Sequence, residues 1–174
     1  ILVTGGAQGL GLEFSKHLAR RCHARLILLG RRAPGEEQRQ AVETIRRLGG
    51  EARYVQADVA DRSRMAQVLA DVERTWGPIQ GVIHAAGVRR DRNLAQLDEP
   101  TFDEVLAPKV EGTEVLWELT RGPSLSFFVT FSSAVAMSSY SFSISRCRRS
   151  SSVKARAAAW RSVSSGSSFG SCER

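Results

Sequence analysis

The chain has 174 residues, 42% hydrophobic and 25% charged, which suits one globular domain with a sizeable core, and it has no run of 18 apolar residues that would cross a membrane. The net charge of +7 is unevenly placed: residues 137–174 carry +6 of it, so the first 136 residues are nearly neutral and a nucleic-acid partner is not favoured. Cys22, Cys147 and Cys172 are an odd number without metal-ligand spacing and read as reduced thiols, and Ile1 opens in a strand rather than a signal peptide, so the expectation is a cytoplasmic chain cut from a longer one.

Ile1 to Thr4 is a short buried strand that runs into Gly5-Gly6-Ala7-Gln8-Gly9-Leu10-Gly11 and a helix from about Leu10 to Ala24, with Leu10, Phe14, Leu18 and Cys22 at helical spacing. A tight turn off a strand needs residues free of a Cβ, and a phosphate group must approach the backbone at a helix N-terminus. Gly5 and Gly6 would make the turn, Gly9 would permit the approach, and Gly11 would let the helix pack on the sheet. Taken alone, such a loop is often only a turn. Arg25 to Leu29 is a second strand, ending in Gly30-Arg31-Arg32, and a charged helix follows from about Gly35 to Leu48. Ala52 to Gln56 is a third strand and Asp61 to Trp76 a helix with Met65, Leu69, Val72 and Trp76 on one face. Gly81 to His84 is a fourth strand, Thr101 to Thr120 a long helix, and Leu125 to Phe131 a fifth strand.

Parallel strands joined by helices need right-handed crossovers, so the fold class is α/β: a Rossmann-like doubly wound parallel sheet with five strands present. A ligand then sits outside the carboxyl ends of the strands. The residues to inspect are Gly5 to Gly11, Gly30 to Arg32, Asp58-Val59, Ala85 to Gly87 and Ser132-Ser133. A dinucleotide fold that prefers NAD places a carboxylate after the second strand to accept the ribose hydroxyls. Here Arg31 and Arg32 stand there, with no carboxylate until Glu36. Guanidinium forks match a 2′-phosphate and favour NADPH; the alternative is a pair of solvated loop charges. Asp58 has two compatible readings, ligand contact and helix N-cap. His84, at a strand end, reads as a core or cofactor-wall residue rather than an acid-base group.

Three separate motifs in order, Thr4-Gly5-Gly6-x-x-Gly9-Leu10-Gly11, Ala57-Asp58-Val59-Ala60-Asp61 and Gly81-Val82-Ile83-His84-Ala85-Ala86-Gly87, resemble the short-chain dehydrogenase/reductase superfamily, and more narrowly the ketoreductase domains of modular polyketide synthases and related fatty-acid synthases. The resemblance covers Ile1 to about Ala136. It implies that Thr4, Gly5, Gly6, Gln8, Gly9, Leu10, Gly11, Gly30, Arg31 and Arg32 hold NADPH, that Asp58 and Val59 contact the adenine, and that Ala85, Ala86 and Gly87 line the cofactor. Val105 to Thr113 places Lys109 where these synthase ketoreductases carry their active-site Lys, whereas ordinary relatives have Asn. A surface lysine is the alternative, although the chain has only Lys16, Lys109 and Lys154. Ser133, 24 residues after Lys109, matches the Ser that holds the carbonyl oxygen, or is a plain strand-end serine. The implied activity is NADPH-dependent reduction of a β-ketoacyl group on the phosphopantetheine of an acyl carrier protein, alongside other synthase domains. Asp91 matches the last residue of a signature for a D-configured alcohol, or is a surface loop charge.

The family's Tyr-x-x-x-Asn should begin 13 residues after Ser133, yet positions 146 and 150 are Arg146 and Ser150. Tyr140 is the only tyrosine downstream, and Ile144 stands four residues past it. From Met137 onward, 14 of 38 residues are Ser and seven are Arg or Lys, without apolar period. The domain reading is therefore an incomplete Rossmann-type ketoreductase domain over 1–136 and a Ser/Arg-rich tail over 137–174, expected to be disordered. A shifted reading frame near codon 136 or a genuine basic tail would account for it. Three functions follow: a synthase ketoreductase, a cofactor-binding fragment without turnover, and a module whose basic tail binds nucleic acid.

Overall fold

The computed structural model describes residues 1–88 and 98–131. These lie in the first of two units of the chain, Ile1–Phe142; the second, Ser143–Arg174, falls outside the described residues, as do Asp91, Ser133 and Tyr140. Strands and helices follow one another among the described residues: β1 (Leu2–Thr4), α1 (Gly9–Cys22), β2 (Arg25–Gly30), α2 (Glu36–Arg47), β3 (Glu51–Gln56), α3 (Arg62–Trp76), β4 (Gly81–His84), α4 (Glu99–Leu106), α5 (Glu111–Thr120) and β5 (Phe127–Thr130). The strands form one parallel sheet in the order β3-β2-β1-β4-β5, with Leu2 in register with Ile27 on one side and Val82 on the other. The order reverses between β1 and β4, which opens a crevice at their carboxyl ends.

Alternation along each strand sends neighbours to opposite faces, and both faces are covered. Leu26 and Leu28 join Val3, Ile83, Ala19, Ala41 and Ile45 beneath α1 and α2, while Ile27 and Leu29 join Leu2, Val82, Met65, Leu69, Val72 and Leu116 beneath α3 and α5. All four apolar residues of β2 are at most 1% exposed, each a burial of about 1.5–3 kcal/mol. The Met65, Leu69, Val72 face of α3 is buried as its period predicts, with Trp76 partly buried against the same core. No helix among the described residues is long and apolar enough to cross a membrane.

Two sequence expectations need correction. In α1 the buried positions are Gly11, Ser15 and Ala19, while Leu10, Phe14 and Cys22 of the predicted stripe are exposed and only Leu18 packs partly on the core. The helix lies so close to the sheet that only small side chains fit beneath it, and Ser15 returns its hydroxyl to the Gly11 carbonyl at 2.8 Å. Ala19→Leu is therefore expected to lower the unfolding free energy by about 1–3 kcal/mol, whereas Cys22→Ser stays within about 0.5 kcal/mol; urea melts of the two variants check the order. The predicted long helix over Thr101 to Thr120 is two helices, α4 and α5, broken at Ala107–Val110. Pro108 cannot donate to the ladder and its ring crowds the preceding turn, so the helix stops and restarts there.

Candidate functional site

The first wall is the glycine turn between β1 and α1. Gly5 takes φ +65° and donates its N–H to the Leu29 carbonyl at 2.7 Å, which ties the turn to β2. Gly9 takes φ +50°, and a Cβ there would meet no atom within 4 Å, so the turn is open at that point. The N-cap, Gln8, makes no side-chain hydrogen bond, and the first turn of α1 carries no acidic residue. A helix start left without a cap keeps its first N–H groups and its partial positive charge for an incoming anion, which fits the pyrophosphate of a dinucleotide.

The second wall lies beyond β2 and β3. Side chains of β3 hold the two-arginine segment by its carbonyls: the Tyr54 hydroxyl donates to Arg32 O at 2.8 Å and Gln56 Nε2 donates to Arg31 O at 3.0 Å. Burial raises the Tyr54 pKa, against an opposing effect of the Arg32 charge, so the phenol stays a donor. A Cβ on Gly30 would stand 2.7 Å from the Tyr54 oxygen, so the glycine makes room for that clamp. Arg31 reaches across to Asp58, with Nη1 4.0 Å from Oδ2 and both groups about half exposed, an ion pair too long and too wet to consume the guanidinium. Arg31, Gln56, Ala57, Asp58 and Arg64 line one shallow cavity.

The N-cap alternative for Asp58 is corrected here. Asp58 Oδ1 accepts the Ala60 N–H at 3.0 Å and shapes the loop, whereas the cap of α3 is Asp61, whose Oδ1 accepts the Arg64 N–H at 2.9 Å. Val59 is buried in the core, where a Cβ on Gly112 would stand 2.6 Å from its Cγ1, and it is not among the residues that line the cavity.

The third wall joins β4 to the break between α4 and α5. Ala85 follows β4 by donating its N–H to Thr4 O at 3.1 Å, and a Cβ on Gly5 would stand 2.8 Å from the Ala85 carbonyl, so the glycine turn and the Ala85-Ala86-Gly87 segment touch. A Cβ on Gly87 would stand 3.6 Å from Lys109 Cε. Lys109 thus lies beside that segment, its N–H on Leu106 O at 2.8 Å and its carbonyl accepting the Thr113 hydroxyl. His84 is 1% exposed, bonded to the Thr4 hydroxyl and the Pro108 carbonyl; burial holds its pKa down at about 4, against a raising effect of the Pro108 bond.

The structure brings Thr4, Gly5, Ala85, Ala86, Gly87 and Lys109 together, and Gly30, Arg31, Arg32 and Asp58 together beyond the next strands; Ser133 lies outside the described residues. Sequence reasoning missed Arg64 as a cavity residue and Pro108 as the partner of His84. Arg64 stands three residues after the capping Asp61, which puts it in the first turn of α3 facing the strand ends, and Pro108 was legible as a helix breaker. Among the described residues no group of three or more His, Cys, Asp or Glu is placed to hold a metal ion.

Comparison with known proteins adds to this geometry. A family model described as KR domain matches residues 1–166. Polyketide synthase PksM of Bacillus subtilis is 39% identical over 136 residues, 78% of this chain and 3% of that protein. Erythronolide synthase EryA2 of Saccharopolyspora erythraea is 40% identical over 141 residues, 79% of this chain and 4% of that protein, so the chain spans a few per cent of the length of these relatives. The crystal structure of an N-terminal ketoreductase from the macrolactin assembly line superposes with a TM-score of 0.73 at 37% identity, covering 76% of this chain and 27% of that one.

Proposed function

The chain belongs to the KR (ketoreductase) domain family within the short-chain dehydrogenase/reductase superfamily, a family of oxidoreductases that bind a nicotinamide cofactor, and from that premise we propose that it acts on a β-ketoacyl group tethered to an acyl carrier protein during polyketide assembly. Its proposed cofactor is NADPH, its proposed setting a soluble cytoplasmic synthase, and its proposed partners the neighbouring synthase domains. The observation that carries this reading is the position of Lys109 beside Ala85-Ala86-Gly87, on the same edge of the sheet as the open glycine turn and Arg31.

When bound, the cofactor supplies the hydride that reduces the ketone. The chain's own residues would bind and orient the cofactor and the ketone. The first turn of α1 receives phosphate, and Arg31 and Arg32 neutralise the charge of a 2′-phosphate. Ser133 would hold the carbonyl oxygen by a hydrogen bond, and Lys109 would order the ribose and lower the pKa of a tyrosine that donates the proton. A tyrosine at position 146 would complete this set, and Arg146 stands in its place. That substitution favours a second reading, in which the chain binds cofactor without turning over a ketone. A single-turnover assay with NADPH and a β-ketoacyl thioester separates the two: oxidation of the cofactor supports the first, and binding without oxidation supports the second.

The cofactor preference has its own test. Replacing both Arg31 and Arg32 with alanine is expected to weaken NADPH binding by about 1.5–3 kcal/mol, since charge-assisted hydrogen bonds to a phosphate are lost, and to leave NADH binding unchanged. Fluorescence titrations with each cofactor read both affinities. Equal affinities of the wild-type chain for NADPH and NADH would remove the assignment of these arginines to the 2′-phosphate.

A further inference from the structure

We propose that His84 is a positioning residue for Lys109: it anchors the Pro108 carbonyl and thereby holds the helix break that presents Lys109 to the Ala85–Gly87 wall. The proposal rests on the reading of Lys109 as a functional lysine and adds what keeps it in place.

The proton order of this link follows from the partners. A carbonyl oxygen only accepts, so His84 Nε2 carries the hydrogen and donates to Pro108 O at 2.8 Å. Nδ1 is then an acceptor, and the Thr4 hydroxyl donates to it at 2.6 Å. The Thr4 oxygen keeps a lone pair for the Ala86 N–H at 3.2 Å. One neutral tautomer satisfies the whole run from Ala86 through Thr4 and His84 to Pro108, and every bond in it lies in or beside the buried edge of the sheet. It ties together the first strand, the cofactor-side segment after the fourth, and the break before α5.

The Pro108 carbonyl is free to take part because the helical ladder skips it. In a regular α-helix the Gly112 N–H would bond to Pro108 O; here it reaches back one residue further, to Ala107 O at 2.9 Å. The orphaned acceptor is buried, and an unpaired buried carbonyl is costly, so the imidazole N–H both satisfies it and fixes where the next residue goes. That residue is Lys109. Its backbone is pinned by Leu106 and Thr113, and its side chain runs beside Gly87. Among the described residues, the imidazole makes the hydrogen bond that joins the break to β4.

The test uses the full chain with its lysines reductively methylated with ¹³C. Methylation labels the three lysines and the N-terminal amine, and Lys109→Arg identifies the signal from Lys109. His84→Leu, which keeps the apolar bulk and removes the donor, is expected to shift the Lys109 signal while that of Lys16 stays. It is also expected to weaken NADPH binding on the order of tenfold, non-additively with Lys109→Met. His84→Gln, whose amide N–H can still reach the Pro108 carbonyl, is expected to restore most of both. If His84→Leu does not fold, Thr4→Val removes the other end of the link and should move the same signal. A Lys109 signal that is unchanged in a folded His84 or Thr4 variant would overturn the proposal. Failure of the wild-type chain to bind NADPH would instead remove the cofactor reading, while the Lys109 signal still decides this one.

Discussion

Gly11→Val is expected to lower stability by about 3 kcal/mol or more and to abolish nicotinamide-cofactor binding. A Cβ on Gly11 would lie 2.4 Å from the Gly5 carbonyl oxygen, 2.8 Å from its carbon and 3.1 Å from Gly6 Cα. All three are backbone atoms, and they cannot rotate aside as a side chain could. Nor can the turn retreat. Gly5 is tied to Leu29, and on its other side stands the Ala85 carbonyl, 2.8 Å from where its own Cβ would be. Helix, turn and strand end form a stack with no slack, so the variant must part α1 from the sheet and carry the first turn's N–H groups away from the crevice. Gly9→Ala is the contrast. It meets open space and bears only the strain of φ +50°, about 1 kcal/mol. Urea melts and a cofactor titration on both variants check this. A Gly11→Val protein within about 1 kcal/mol of wild type would show that the stack yields.

Acid is expected to destabilise the fold by about 3 kcal/mol between pH 6.5 and pH 4 through His84, a loss that begins above the range in which carboxylates titrate. Its folded pKa is pushed down to about 4 from an ordinary 6.5, first by burial. Between those values the unfolded chain binds a proton that the folded chain does not, so stability rises with pH across the window. The contribution is fully present above pH 6.5 and lost as pH falls toward 4. Protonation would also place a second N–H against the Thr4 hydroxyl, which now donates to that nitrogen. His17 and His23, the other two histidines, are exposed. Asp71 and Glu118 have pKa values lowered by their arginine partners, the hydrogen bond from Arg74 leading for Asp71 and that from Arg62 for Glu118, and they withdraw stability only as pH falls through the carboxylate range. The unfolding free energy at pH 7, 5.5 and 4.5 for wild type and His84→Gln isolates the term. A wild-type slope that persists in the variant would assign the acid sensitivity elsewhere.

The sequence was most legible where chemistry and period coincide. The glycines at 5, 6, 9 and 11 announce a tight turn, and at 5, 6 and 11 close neighbours leave no room for a Cβ, whereas at 9 only the positive φ favours glycine. It was least legible where size opposes hydrophobicity. A periodic reading of α1 rewards Leu10, Phe14 and Cys22, yet the sheet accepts only Gly11, Ser15 and Ala19, because close approach of two backbones favours the smallest side chains. The Asp58 and Asp61 pair shows the same limit at one turn of chain. Either could cap a helix by residue type, and only the loop path, with the Ala60 N–H on Asp58, decides for Asp61.

By itself the sequence determined the βα alternation, the parallel sheet and the residues at the strand ends, because these depend on local period and on how far a chain must travel between parallel neighbours. Only the tertiary structure decided that Thr4, His84 and Pro108 share one run of hydrogen bonds across 80 and 24 residues of chain, that Arg31 lies against Asp58, and that Lys109 lies beside Gly87. Such contacts join residues with no common period. They exist because the sheet brings remote strand ends within hydrogen-bonding distance, where burial makes each unpaired donor or acceptor find a partner.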